Sequence, residues 1–98
     1  MKYKLQLTKK AKGDFLALEK DTQKRVANKL SFYISNSDPI SYAKKLKDSK
    51  RGTYSFRIGD YRAIFDIDSQ GNIIILIILR IKHRKDAYGA VPKTPYLV

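Results

Sequence analysis

The stretch that decides the fold is residues 54–68, YSFRIGDYRAIFDID. Its pattern predicts two strands joined by a Gly-Asp turn, and successive strand residues point to opposite faces of a sheet. One face takes the apolar alternate positions of both strands: Tyr54, Phe56, Ile58, Tyr61, Ala63, Phe65 and Ile67. If these side chains cover one core, Arg57 and Arg62 project together from the opposite face, where guanidinium groups suit the recognition of phosphate.

The residues before this stretch predict one strand and two helices. Lys2 to Leu7 alternates as a strand does, and Thr8 is a suitable N-cap for a first helix. A second helix is expected to start at a cap formed by Asp21 or Thr22. The apolar stripes of the two helices are Ala11, Phe15 and Leu18, and then Val26, Leu30, Tyr33 and Ile34. The short link between them favours an antiparallel helical hairpin.

The remaining residues complete an α+β domain. A helical turn is expected within residues 39–46, a basic loop over residues 44–52, and a last strand from Ile73 to about Ile81. Residues 73–79 are apolar throughout, which predicts a strand covered on both faces. The order β-α-α-β-β-β then gives two layers, with the helical hairpin packed on one face of a small sheet. We expect the domain to span residues 1–88 and residues 89–98, with Pro92 and Pro95, to form a C-terminal tail.

Composition narrows the class of partner. The chain has 98 residues, with 21 Lys and Arg against 9 Asp and Glu, a net charge of +12 and a pI near 10.0. Such an excess favours a polyanion: nucleic acid, an anionic membrane surface or an acidic protein. The longest apolar run is far below the ~20 residues that span a bilayer, and no signal peptide is visible. The absence of cysteine excludes disulfides and a cysteine nucleophile, and we expect a cytoplasmic protein.

Two motifs carry a family resemblance: GDYRAIFDID at residues 59–68 and KHRKDAY at residues 82–88. With the order of elements, they make residues 2–88 resemble the RelE/ParE superfamily of toxins from type II toxin–antitoxin systems. The resemblance implies a helical hairpin on a small, mostly antiparallel sheet. The RelE branch cleaves messenger RNA in the ribosomal A site without a metal or other cofactor, whereas the ParE branch inhibits DNA gyrase. Both are neutralised by an antitoxin, so an acidic antitoxin, the ribosome and messenger RNA are the implied partners.

The same resemblance implies the site residues. The arginine of its Tyr-Arg pair corresponds to Arg62, and the basic residue before the turn corresponds to Arg57. A second lysine position before the turn falls on Ser55, which is a departure from the family pattern. The basic residue after the last strand is Lys82 or Arg84, with His83 between them, and the terminal tyrosine is Tyr88.

Cutting RNA through its own 2′-hydroxyl requires a base, cations around the phosphorus and an acid for the leaving oxygen. Arg57 and Arg62 suit charge stabilisation because a guanidinium does not give up its proton. His83 is the only histidine and is suited to proton transfer near neutrality, with Lys82 or Arg84 as alternatives. Tyr88 is expected to stack on a base or to orient the phosphate. Further cations are expected to bind or steer RNA: Lys44, Lys45, Lys47, Lys50, Arg51, Arg80 and Lys85.

Other interpretations stay open at this point. Asp66 and Asp68 share a strand face and could bind Mg²⁺, but the sequence suggests no third ligand near them, so no metal site is predicted. A gyrase inhibitor of the ParE type, or a non-catalytic RNA-binding module, would also explain the charge. The favoured hypothesis is a toxin that cleaves messenger RNA on the ribosome and so inhibits translation, with no cofactor.

Overall fold

The computed structural model describes residues 2–46 and 54–87, in which two helices pack on a mixed sheet. The strands are β1 (Lys2–Leu7), β2 (Lys44–Lys45), β3 (Tyr54–Ile58), β4 (Tyr61–Gln70) and β5 (Ile73–His83). The helices are α1 (Lys9–Leu16), α2 (Lys20–Ile34) and the single turn α3 (Arg84–Ala87), with a 3₁₀ turn at Pro39–Tyr42. The predicted α+β class and two-layer arrangement are confirmed.

The sheet order is β1-β5-β4-β3-β2, and only the pairing of β1 with β5 is parallel among these described strands. The hairpin of β3 and β4 turns at Gly59, whose φ of 59° lies in the left-handed region. The predicted basic loop is wrong at its start, because Lys44 and Lys45 pair with Ser55 and Tyr54 as the short strand β2. The rest of that loop and the predicted tail lie outside the described residues.

A stack of aromatic rings joins the two layers. Tyr33 of α2 lies 4.4 Å from Phe56 of β3, and Phe56 lies 4.4 Å from Phe65 of β4, measured between ring centroids. The buried core around this stack consists of Ala11, Val26, Leu30, Ile58, Ala63, Leu76, Ile78 and Ile81. This core lies on the face of β3 and β4 that the alternation of residues 54–68 predicts.

The opposite face of the sheet, here called the outer face, is less covered than predicted. On β5, Leu76 and Ile78 are fully buried against the helices, whereas the alternate residues Ile75 and Ile77 are only half-buried. The expectation of a strand covered on both faces is therefore wrong, because both helices pack on one side of the sheet.

The starts of the two helices differ from each other. The Thr8 side chain accepts a hydrogen bond from the N–H of Ala11 at 3.1 Å, which confirms the predicted N-cap of α1. The predicted cap of α2 at Asp21 or Thr22 is wrong, since the helix starts at Lys20 with Glu19 as its N-cap. The side-chain amide of Gln23 bonds the carbonyl groups of Leu16 and Leu18, which closes the link between the helices.

Strand β5 contains a β-bulge at Leu79. Ile64 of β4 pairs with Arg80 and Phe65 pairs with Ile78, so Leu79 is the extra residue. Two bonds from Thr8 hold this segment, one from its N–H to the Ile78 carbonyl at 3.0 Å and one from its hydroxyl to the Leu79 carbonyl at 2.9 Å. Since an extra residue reverses the alternation, Lys82 lies on the outer face, where an unbulged strand would place His83.

Two glycines allow a test of these backbone conformations. Gly13 lies inside α1 with open space around an added Cβ, so Gly13→Ala should stabilise the protein by about 0.5–1 kcal/mol. Gly59→Ala should destabilise it by about 1 kcal/mol, because alanine is strained at a φ of +59°. Urea denaturation of both variants provides the measurement. A stabilising Gly59→Ala would contradict the described turn.

Candidate functional site

Three cations lie side by side on neighbouring strands of the outer face. Arg57 of β3 pairs with Arg62 of β4, and Arg62 pairs with Lys82 of β5. Directly opposed residues project from the same face, so these side chains form one line across three strands, here called the basic row. The pairing of Arg57 with Arg62 on this face agrees with the alternation of residues 54–68, and the bulge adds Lys82.

The hydrogen bonding of β3 makes the first pair a close one. The Arg57 carbonyl accepts a bond from the Tyr33 hydroxyl at 2.9 Å and therefore points away from β4. A residue whose backbone groups point outward belongs to a non-hydrogen-bonded pair, in which the two Cα atoms are only about 4.5 Å apart. Like charges directly opposite each other destabilise a sheet. An anion bound between Arg57 and Arg62 would relieve this repulsion.

The next row on the same face runs from Lys44 through Ser55 and Ile64 to Arg80. Ser55, at the position where the resemblance expects lysine, is 2% exposed, and its hydroxyl has no hydrogen-bond partner within the described part of the chain. A small side chain here leaves this second row without a cation from β3, whose other outer-face residue is Arg57. Lys44, directly opposite on β2 and exposed, supplies a positive charge beside this position.

Two helix side chains fix the strand edges at both ends of the basic row. Tyr33 of α2 bonds the Arg57 carbonyl, as described above. At the other end, Asp14 of α1 accepts bonds from the Ile81 N–H at 2.9 Å and from Arg80, at 2.8 Å to Nε and 3.0 Å to Nη2. Arg80, one of the cations expected to bind RNA, forms an ion pair with Asp14 through its guanidinium. Neither helix side chain was predicted as part of the site.

The surroundings of Asp14, Arg80 and Tyr33 shift the pKa values of these three side chains. Hydrogen bonds from Arg80 hold the pKa of Asp14 below its ordinary value of 3.8, and the same contact raises the pKa of Arg80. Burial raises the pKa of Tyr33, with the positive charge of Arg62 acting in the opposite direction. Tyr33 therefore remains a hydrogen-bond donor to the Arg57 carbonyl at neutral pH.

Of the basic residues at the end of β5 and the start of α3, only Lys82 belongs to the basic row. His83 pairs with Tyr61 on the face opposite to Lys82, and the two rings meet edge to face with centroids 5.4 Å apart. Its Nδ1 accepts a bond from the Lys85 N–H at 3.3 Å. The N–H of Arg84 bonds the Asp60 carbonyl at 2.7 Å, so exposed Arg84 starts α3 beside the β3–β4 turn.

The other predicted RNA-binding cations are dispersed. Lys45 pairs with Tyr54 and so belongs to the helix-side face, while Lys85 is exposed on α3. Tyr88, Lys47, Lys50 and Arg51 lie outside the described residues. Asp66 and Asp68 are on the outer face opposite Ile77 and Ile75, and no group of three possible metal ligands occurs within residues 2–46 and 54–87.

None of the helices in the described part of the chain is long and apolar enough to cross a membrane.

Comparison with known proteins adds a family match. The family model for the ParE toxin of the type II toxin–antitoxin system parDE matches residues 5–88. The protein Toxin RelG of Mycobacterium tuberculosis is 31% identical over 88 residues, which cover 90% of this chain and 98% of that protein.

Among the solved structures of similar fold are three toxin–antitoxin complexes. The Mycobacterium tuberculosis complex RelBE2 contains a chain with 25% identity and a TM-score of 0.59, and the match covers 86% of this chain and all of that chain (100%). The RelB–RelE complex of Methanococcus jannaschii matches with 27% identity and a TM-score of 0.56, over 89% of this chain and 99% of that chain. The Pyrococcus horikoshii RelE–RelB complex, at 21% identity, TM-score 0.62 and 88% and 99% coverage, shows the fold alone.

The contact between Asp14 and β5 should stabilise the protein in a pH-dependent way. Because the carboxyl pKa is lower in the folded state, this contribution is complete above the ordinary value of 3.8 and is lost as pH falls through the folded-state value. Asp14→Asn should therefore lower the free energy of unfolding by about 1–2 kcal/mol at pH 7, and the deficit should shrink below about pH 4.

Asp38→Asn is the matched control for this change. Its carboxylate is exposed and makes no capping hydrogen bond, so the substitution should alter stability by less than about 0.5 kcal/mol. Denaturation at several pH values measures both variants. A deficit for Asp14→Asn that does not depend on pH would contradict the ionic character of the contact.

Proposed function

Because this chain belongs to the ParE toxin family of type II toxin–antitoxin systems, within the RelE/ParE superfamily, we propose that it is a toxin that cleaves messenger RNA on the ribosome. The observation that carries this proposal is the basic row. Arg57, Arg62 and Lys82 are paired side by side across three strands of the outer face, and such a group of cations suits contact with the phosphates of RNA.

The row suits cleavage through the 2′-hydroxyl of RNA. In this reaction the 2′-hydroxyl gives up its proton to a base as its oxygen attacks phosphorus, the bond to the 5′-oxygen breaks, and that oxygen takes a proton, so that a 2′,3′-cyclic phosphate and a 5′-hydroxyl are formed. Negative charge grows on the phosphate oxygens in the transition state, and fixed cations stabilise it most effectively when the protein holds them in advance. Tyr33 and Asp14 support that fixation by tying β3 and β5, the strands at the two ends of the row, to the helices.

We assign charge stabilisation to Arg57 and Arg62, because guanidinium groups hold their protons. Lys82 is the member of the row that is able to donate a proton, and we propose that it protonates the leaving 5′-oxygen. The position of His83 on the other face argues against a direct role for it in the row. Arg84, exposed beside the turn, is proposed to bind a neighbouring phosphate.

A gyrase inhibitor of the ParE type is the second candidate. Two observations favour it: the matching family model is that of the ParE toxin, and Ser55 stands where the RelE pattern has lysine. A protein that inhibits by binding does not need a fixed row of cations around a reacting phosphate. Variants of the row therefore distinguish the two candidates.

Loss of one cation from the row should abolish most of the cleavage. Arg62→Ala should reduce the rate by about 100-fold or more, because a single well-placed transition-state contact has that effect, and Arg62→Lys should restore part of it. Lys82→Met should be similarly damaging, whereas His83→Gln should change the rate by less than about threefold if His83 takes no part in proton transfer. Primer extension on messages translated in the presence of each variant measures cleavage.

Lys45→Ala is the control for this series. It removes the same charge from the other face of the sheet and should leave cleavage within about twofold of the unmutated rate, since distant surface charge affects mainly association. Melting curves confirm that each variant is folded. Uncut messages together with loss of DNA supercoiling by gyrase would support the second candidate, and a fully active Arg62→Ala would exclude the proposed site.

We further propose that an acidic antitoxin neutralises this toxin. The net charge of +12 favours an acidic partner segment, and such a segment would compete with RNA for the basic row. Co-expression with the protein encoded by the adjoining reading frame should restore growth and give a stable complex that weakens as salt is raised. If none of the small proteins encoded in the adjoining reading frames binds this chain, the proposal is contradicted.

A further inference from the structure

Two aromatic rings form an exposed patch at the end of α2. Within the described residues the large apolar side chains that are most exposed are Leu16 at 73%, Phe32 at 49% and Tyr42 at 47%. Leu16 lies at the end of α1, whereas Phe32 and Tyr42 are in contact, with ring centroids 5.8 Å apart. Phe32 and Tyr42 are here called the aromatic platform. Two adjacent exposed rings are a costly feature for a small domain unless something binds them.

The structure holds both rings in place. The Tyr42 hydroxyl donates to Oδ1 of Asn36 at 3.2 Å, and Nδ2 of Asn36 donates to the Phe32 carbonyl at 2.6 Å. The ring of Tyr33 lies behind them, with centroids 5.8 Å from Phe32 and 5.3 Å from Tyr42. Because the rings are already ordered, a ligand that stacks on them would lose little side-chain entropy on binding.

The surroundings of the platform are cationic. Lys29 places its Nζ 5.4 Å from the centre of the Phe32 ring, and exposed Arg25 lies one turn earlier on the same stripe of α2. Exposed Lys44 follows Tyr42 by two residues and belongs to the outer face. Charge complementarity therefore favours a ligand that combines a flat apolar surface with negative charges.

The platform lies on the helix side of the sheet and the basic row on the outer face, and Tyr33 links the two at β3 beside Arg57. Tyr33 contacts the platform through its ring and holds the Arg57 carbonyl through its hydroxyl. A strand of nucleic acid bound along the row would reach Phe32 and Tyr42 by turning around β3 at Arg57, where the Tyr33 hydroxyl is bonded. Single-stranded nucleic acid has the required chemistry, because its phosphates pair with cations while its unpaired bases stack on aromatic rings.

We propose that the aromatic platform binds an unpaired RNA base next to the segment held by the basic row. This inference rests on the proposed function, because it assumes that RNA is the substrate. An acidic amphipathic peptide would also match the charge, but it does not need exposed ring faces beside a phosphate site. Stacking is tolerant of base identity, so the platform would add affinity and fix the position of the strand without selecting a sequence.

Removal of either ring should weaken RNA binding. Phe32→Leu and Tyr42→Leu keep an apolar side chain but lose the aromatic face, and each should reduce affinity for a short single-stranded RNA by about 5- to 20-fold. Tyr42→Phe keeps the ring and should bind as the unmutated protein does. The probes are single-stranded RNAs of about eight to ten nucleotides, each with 2-aminopurine at a different position. The fluorescence of this base falls when it stacks on an aromatic ring.

Leu16→Ala is the control, because it removes an exposed apolar side chain that lies away from the platform. The slope of affinity against salt should be unchanged in the leucine variants, which lose no charge. Leucine variants that bind RNA as tightly as the unmutated protein would overturn the inference. So would an unmutated protein that does not bind the probe, or leucine variants that lose only the binding of the protein from the adjoining reading frame.

The experiment separates this inference from the proposed function. If Arg62→Ala loses cleavage of translated messages while both leucine variants bind RNA normally, the platform is excluded and the function stands. If the unmutated protein cleaves no message, the proposed function fails whatever the leucine variants do.

Discussion

The β-bulge at Leu79 decides which side chains of β5 join the basic row, and Thr8, the N-cap of α1, and Asp14 within α1 hold the strand around it. Thr8 bonds the carbonyl groups of Ile78 and Leu79, and Asp14 bonds the N–H of Ile81. Because side chains alternate along a strand, the extra residue exchanges the faces of every residue that follows it. Lys82 reaches the outer face only for this reason, and His83 is turned toward Tyr61.

The same architecture explains how the sheet tolerates repulsion between neighbouring cations. Arg57 and Arg62 form a close pair of like charges, which costs stability. On the other side of the same strands, the stack of Tyr33, Phe56 and Phe65 buries aromatic surface and fixes the register of β3 against β4. A slip of one residue would bury the arginines and expose the rings, so the core keeps the cations on the outer face.

Both surfaces of the proposed site meet at Tyr33. Its ring packs against the exposed pair of Phe32 and Tyr42, and its hydroxyl fixes the edge of β3 at Arg57. A strand of RNA held by phosphate contacts on one side and base stacking on the other would be positioned without being read in sequence. In the proposed cleavage of messenger RNA, positioning of the reacting phosphate would be the main contribution of the fold.

Much of this protein is determined by local pattern in the sequence. The alternation of residues 54–68 predicts the core face of β3 and β4 and the shared face of Arg57 and Arg62, and helical spacing predicts the buried stripe of α2. Periodicity of this kind is set by neighbouring residues, so it can be read without the fold.

The position of Lys82 could not be predicted in this way, because strict alternation from Leu76 and Ile78 places it on the wrong face. The bulge that corrects it depends on Thr8, which bonds Leu79 across 71 residues of sequence, while Asp14 reaches Arg80 across 66. Only the packing of α1 against β5 brings these groups together, and therefore only the tertiary structure decides which cations form the row.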